Sequence, residues 1–193
     1  MNMLTNLNTE FTVLPIDSKL FSERKIFLEG KITAEKACLF AKQIMVLRQE
    51  DSKKTINLYI NSPGGDIEAG LMIYDIIQSV PAINIFCLGI AYGIAAIILI
   101  SGKHGRRFML PNAKLWLYNP LVDTECGKDH SAVSANVNKF LETKQNFDTI
   151  IKKHVEAFLF ELSDKTRIEH CFTAQHALAF GLADSIIEFN EMI

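Results

Sequence analysis

The chain has 193 residues, 49% of them hydrophobic and 22% charged, with a formal net charge of -2. That length buries a sizeable core in one domain, and so small a charge gives no basic field to recruit nucleic acid or a membrane surface. The four cysteines, Cys38, Cys87, Cys126 and Cys171, show no C-x-x-C spacing, which argues against a metal or redox pair.

Met1 to Glu10 is polar, with no positively charged start and no apolar run, so no secretory signal is expected; the setting predicted is a cytoplasm or an organelle of cytosolic origin. Ile26-Phe27-Leu28, closed by Gly30, reads as a strand. Thr33 is placed to cap a helix whose apolar residues are Ala37, Leu39, Phe40, Ile44, Met45 and Leu47. Cys38, within that run, and Cys87 read as small buried hydrophobes, which suits a reducing compartment. After a charged linker from Gln49 to Lys54, Ile56 to Asn61 alternates as a strand, and Ser62-Pro63-Gly64-Gly65-Asp66 breaks it.

Ile67 to Val80 carries a helical apolar face that ends before Pro81. Ala82 to Gly102 holds no charged residue, yet Asn84, Gly89 and Gly93 interrupt it, so it reads as buried core, not a membrane span. Within it Ile83 to Leu88 is a strand and Ile94 to Ile100 a helix apolar all round. This alternation of strand and helix predicts crossover units and an α/β fold. Phe108-Met109-Leu110 and Leu115-Trp116-Leu117-Tyr118 read as two further strands. Asp129 to Glu161 reads as one amphipathic helix, too long to bury its whole apolar stripe against its own core, so its far end is expected to meet another subunit. Thr173 to Phe180 reads as a capped helix stopped by Gly181, and Ser185-Ile186-Ile187 as the last strand.

Two strand-to-helix turns are the places where chemistry is expected. Around Gly64 and Gly65 the backbone N–H groups can point outward unobstructed. The second turn, Gly89-Ile90-Ala91-Tyr92-Gly93-Ile94-Ala95-Ala96, has the setting in which hydrolases present a nucleophile, but no Ser, Cys or Thr occupies it. Ser62 is expected to cap local backbone, and no base is predicted near Ser101. The histidines at 104, 130, 154, 170 and 176 read as surface or structural residues rather than metal ligands, and Arg106-Arg107 as a solvated pair.

Taken together, Tyr59 to Gly65, Ala69-Gly70, Ile73-Tyr74-Asp75, Gly89 to Ala96, Gly105 to Phe108, Leu110-Pro111-Asn112, Asn119-Pro120-Leu121 and Gly181 to Ile186 resemble, in order and spacing, the proteolytic subunit of the Clp protease. The resemblance covers nearly everything from Ile16 onward and implies the ClpP/crotonase-like α/β fold, with the Asp129 to Glu161 helix as a protruding handle. It implies an organisation of axial segment 1–15, head 16–121 and 162–193, and handle region 122–161. It also implies stacked heptameric rings working with a hexameric AAA+ ATPase on unfolded polypeptide, with no cofactor, metal, nucleic acid or membrane. In that family the second turn resembles Gly-x-Ala-Ala-Ser-Met-Gly-Ala, whose Ser is the nucleophile; here the position is Gly93. The catalytic His position falls on Tyr118 and the Asp position on Glu169, so the chain resembles a catalytically degenerate, ClpR-like member. Gly65 and Ile94 match the oxyanion donors, and Gly64 with Gly65 the peptide-binding turn.

Three departures point to altered assembly with an active ClpP paralogue: a short segment before Ile16, Arg167-Ile168-Glu169 in place of Asp-Arg-Asp, and Val122 to Lys128 without the Gly-Gln-Ala pattern. The alternatives are a serine-type endopeptidase using Ser62 or Ser101, and a crotonase-like CoA-ester enzyme, which the short chain and the motifs disfavour.

Overall fold

In this computed structural model the residues described are 2–7, 10–117, 130–155 and 170–192, with side-chain surroundings for 15–117, 141–155 and 170–192. The chain opens with β1 (Asn2–Leu7) and β2 (Glu10–Pro15), an antiparallel pair with Asn2 opposite Pro15 and Leu7 opposite Glu10, followed by α1 (Ile16–Ser22). The polar start had given no sign of either.

Beyond α1 come β3 (Lys25–Glu29), α2 (Ala34–Glu50), β4 (Ile56–Ser62), α3 (Ile67–Gln78), β5 (Ile83–Tyr92) and α4 (Ile94–Ile100). The helix starts are built locally: Thr33 accepts from the Lys36 N–H, and Asp66 accepts from the Ala69 N–H at 2.7 Å. Strands β3, β4 and β5 pair in parallel, as crossover connections require, and β6 (Arg107–Met109) and β9 (Ser185–Ile186) extend the sheet in the order β3-β4-β5-β6-β9. Register on one face is held by a ladder of rings in directly opposed positions. Phe27 stacks on Tyr59 at 4.8 Å, Tyr59 on Phe86 at 5.0 Å, and Phe86 on Phe108 at 4.9 Å between centroids.

The sheet forks along β5. Ile85 to Cys87 pair with β6, whereas Ile90 to Tyr92 pair with β7 (Lys114–Leu117), which in turn pairs antiparallel with β8 (His170–Thr173). The expected strand end at Leu88 is corrected: β5 runs through Gly89 to Tyr92. The β4–β5 register slips between Ile60 and Ser62, and the Asn61 side chain takes the Ile90 N–H at 3.2 Å. A Cβ at Gly89 would lie 2.8 Å from that Asn61 Oδ1, so a larger residue there would displace the side chain that takes the Ile90 N–H.

Every residue of α4 is buried, which is why its sequence carries no polar face. Ala82 to Gly102 is thus mostly a strand and a core helix, and no described helix is long and apolar enough to cross a membrane. In α2 the buried stripe is Ala37, Phe40, Ile44 and Leu47; Leu39 and Met45 face outward, and so does Cys38, correcting the burial expected for that cysteine. The long helix α5 covers His130–His154, about 37 Å at ~1.5 Å per residue, and Val155 is no longer helical, earlier than the Glu161 end expected. Its C-terminal part packs on the core through Phe147, Ile150 and Ile151. Residues 156–161 lie outside the described residues. After β8 the chain closes with α6 (Ala174–Ala179), β9 and a 3-10 turn at Phe189–Met192 that covers the aromatic ladder, Tyr59 Oη donating to the Met192 carbonyl.

Candidate active site

The first turn leaves β4 at Ser62 and is fixed by its own polar atoms. Ser62 is buried; its hydroxyl donates to the Gly30 carbonyl at 2.6 Å and accepts from the Gly64 N–H at 3.1 Å. Gly64 has φ 87° and Gly65 φ 153°, a conformation that L side chains rarely adopt. Gly65 is bridged in parallel to Ile32: the Ile32 N–H donates to the Gly64 carbonyl at 2.8 Å and the Asp66 N–H to the Ile32 carbonyl at 2.9 Å. In such a bridge the central residue's own N–H points to the opposite side, so the Gly65 donor faces away from Ile32. A Cβ at Gly65 would fall 2.3 Å from the Ile32 oxygen, so only glycine lets the two backbones approach this closely.

The second turn is shorter than the sequence suggests and consists essentially of Gly93, between the end of β5 and the first residue of α4. Gly93 has φ 53° and ψ -120°; its N–H donates to the Trp116 carbonyl at 2.8 Å, and its carbonyl accepts from Ala96 and Ile97. The geometry is that of a sharp strand-to-helix elbow, presenting whatever stands at residue 93 at the head of the helix. Ile94, as the first helical residue, has an N–H with no intrahelical acceptor. The two turns are held together by packing: a Cβ at Gly70 on α3 would lie 2.0 Å from Ile94 Cγ1, so α3 and α4 touch where Gly70 faces Ile94.

A model of the Clp protease family matches residues 8–190. The chain belongs to the Clp protease family. Membership makes it a ClpP-like subunit of a serine peptidase family whose members assemble as rings with Clp ATPases as partners, and the parallel sheet with its flanking helices is consistent with that fold. The Clp nucleophile position, read from the motif as residue 93, holds a glycine at the elbow, while Tyr118 and Glu169 lie outside the described residues.

Neither serine considered as a substitute nucleophile in this Clp family chain has a free hydroxyl. Ser62 is engaged as described, and Ser101, 2% exposed, donates to the Ile98 carbonyl at 2.7 Å. No histidine among the described residues hydrogen-bonds to either. Burial pushes the Cys87 thiol up to about 12, against a smaller opposing pull from the Gly89 N–H, so it stays protonated at neutral pH. Tyr92, beside the elbow, stands edge-on to Trp116 at 5.2 Å, and burial pushes its phenol above the usual range.

The expectation of a solvated arginine pair is corrected by Arg107, which is 1% exposed. Its Nε and Nη2 donate to the two carboxylate oxygens of Asp184 at 2.9 and 2.5 Å, and its Nη1 to the carbonyls of Ile100 and His154. One buried fork thus ties β6, the end of α4, the end of α5 and the segment before β9 together. Burial pushes the Asp184 carboxyl up, but the hydrogen bonds and charge of Arg107 outweigh it and hold the group below its ordinary value. Sequence reasoning missed this pair; Asp184 sits in a motif already singled out, but nothing in the spacing marks Arg107 as its partner across 77 residues.

Proposed function

We propose that this chain is a non-catalytic structural or regulatory subunit of an ATP-dependent Clp protease, assembled in rings with an active ClpP paralogue. The observation that carries the reading is Gly93: the elbow that presents a nucleophile is formed, and the residue on it has no side chain. Covalent catalysis needs an oxygen or sulfur at that point to attack the carbonyl, and among the described residues the hydroxyls of Ser62 and Ser101 are engaged elsewhere. The assignment of Tyr118 and Glu169 to the other two triad positions points the same way, since a phenol with a reference pKa near ~10 is a poor base at neutral pH. Gly64, Gly65 and Ile94 then serve to line a peptide groove that binds unfolded chain without cutting it, within a complex fed by an AAA+ ATPase in the cytoplasm or an organelle of cytosolic origin.

The test uses the purified chain, free of any host Clp enzyme, with fluorogenic peptides and an active-site fluorophosphonate. Loss of a triad member removes a factor of ~10⁴ to 10⁶ in rate, so neither turnover nor labelling is expected above background. Labelling of Ser62 or Ser101 accompanied by turnover would overturn the reading in favour of an active endopeptidase.

A further inference from the structure

The last residue of α5, His154, fastens the end of that helix to its own core in two ways. Its carbonyl accepts from Nη1 of the buried Arg107 at 3.3 Å. Its ring stands edge-on to Tyr74 of α3, 5.9 Å between centroids, with Nε2 at 3.4 Å from the phenol oxygen. Carbonyl and ring thus tie α5 to β6 and α3 at the point where the helix stops. Neither contact involves the two turns described above.

The bond between the two rings works in one protonation state. Lys153 Nζ donates to the same Tyr74 oxygen at 3.5 Å, which leaves the phenol proton for the imidazole. Nε2 accepts that proton only while the ring is neutral and carries its own proton on Nδ1. A protonated ring would turn an N–H toward an oxygen that already takes one from an ammonium.

Among the described residues, the charged groups around the ring are cationic or engaged elsewhere. Lys153 comes from α5 itself and Arg107 from β6, while Lys103 and His104, on the loop after α4, line a cavity that His154 also borders. Asp184, on the segment before β9, gives both carboxylate oxygens to Arg107, one of them lying 3.7 Å from His104 Nδ1. Asp75, next to Tyr74 on α3, is exposed and forms no ion pair with His154. A helix C-terminus ordinarily favours a cation, but the His154 carbonyl is already bonded to Arg107. Burial first, then the charges of Lys153 and Arg107, hold the ring's pKa below the usual histidine value.

We propose that His154 is a proton-operated latch: neutral, it holds the end of α5 against α3 and β6, and protonated, it releases that end. In the released form the ring has ordinary surroundings, so the lowered pKa belongs to the docked form alone. The latch therefore contributes fully above the ordinary value of 6.5 and is lost as pH falls through the lowered one: closed at neutral pH, open on mild acidification. Because α5 is the element expected to reach another subunit, opening changes how firmly the helix is held where it leaves its own core. The proposal is independent of whether residue 93 reacts.

Amide hydrogen exchange of the full chain, corrected for the intrinsic pH dependence of exchange, reads the latch through the amides of Phe147 to Val155. Between about pH 7.5 and about pH 5.5, on either side of the ordinary histidine value, their protection is expected to fall several-fold relative to that of β4 and β5. His154→Gln, whose side chain gains no proton, should show the same protection at both pH values. His104→Gln, at a residue 92% exposed beside Asp184, should keep the fall. Tyr74→Phe removes the bond between the rings without changing any charge, so it should lower protection of the α5 end already at neutral pH and leave β4 and β5 as they were. No fall in the parent chain, the same fall in His154→Gln, its loss in His104→Gln, or full protection in Tyr74→Phe overturns the proposal.

Discussion

At position 93 the backbone and the side chain make opposite demands. A φ of 53° with ψ -120° is a conformation in which any Cβ is strained, and active hydrolases accept that strain in order to present a nucleophile. Glycine at this position is free of that strain. Gly93→Ser is therefore expected to lower stability by ~1–3 kcal/mol, read as a lower urea midpoint, without restoring peptide hydrolysis, since a serine alone has no base to activate it. Turnover by this single variant would show that a base is already in place.

The buried fork between Arg107 and Asp184 gives a second result at this scale. Breaking a buried pair from one side costs ~3–5 kcal/mol, because the remaining charge loses its partner. Asp184→Asn should show a loss of that order in denaturant unfolding. The Asp184 carboxyl titrates below the ordinary 3.8 in the folded protein, so its contribution is complete well above that value and disappears as pH falls through the folded pKa. Acid unfolding should thus be steeper in the parent chain than in Asp184→Asn, whose side chain does not titrate in that window.

Among the elements, the contact of α3 with α4 positions the elbow most directly. Gly70 and Ile94 meet so closely that an added methyl must push apart two helices packed in the core. Gly70→Ala is expected to cost ~1–3 kcal/mol and lower the melting temperature, whereas Gly105→Ala, where a Cβ meets nothing within 4 Å, should cost less, limited to the strain of its φ of 81°. Equal losses at the two positions would mean that the helices have room to move.

Such contacts also mark where the sequence stops being readable. The alternation of strand and helix from Ile26 to Ile100 was plain because each element has its own period, and α4 betrayed its burial by lacking polar residues. The outward face of α2 was not legible, since Leu39 and Met45 are as apolar as Phe40 and Ile44 and only the position of the sheet distinguishes them. The end of β5 lies beyond the expected Leu88 because a side chain from β4, Asn61, takes the Ile90 N–H and the strand continues past Gly89. At the site, the strand-to-helix turn around Gly93 was legible, while the pairing of Gly65 with Ile32 was not, because it joins residues whose contact no local pattern encodes.

For the whole molecule the outer face of α2 becomes an asset in an assembling family. Leu39 is 55% exposed, Met45 71% and Val46 45%, on the side of the helix opposite the buried stripe. Apolar residues grouped in this way on a subunit that forms rings are expected to be covered by a neighbour, where each fully buried side chain contributes ~1.5–3 kcal/mol. In a closed ring the same loss recurs at every interface, so a modest weakening per contact is multiplied. Leu39→Glu with Met45→Glu should shift the native mass of the chain, alone or mixed with an active Clp subunit, toward smaller species. Both positions face outward, so the helix content should stay as it was. Unchanged rings in this variant would place the subunit contact elsewhere and leave the α2 face to another partner.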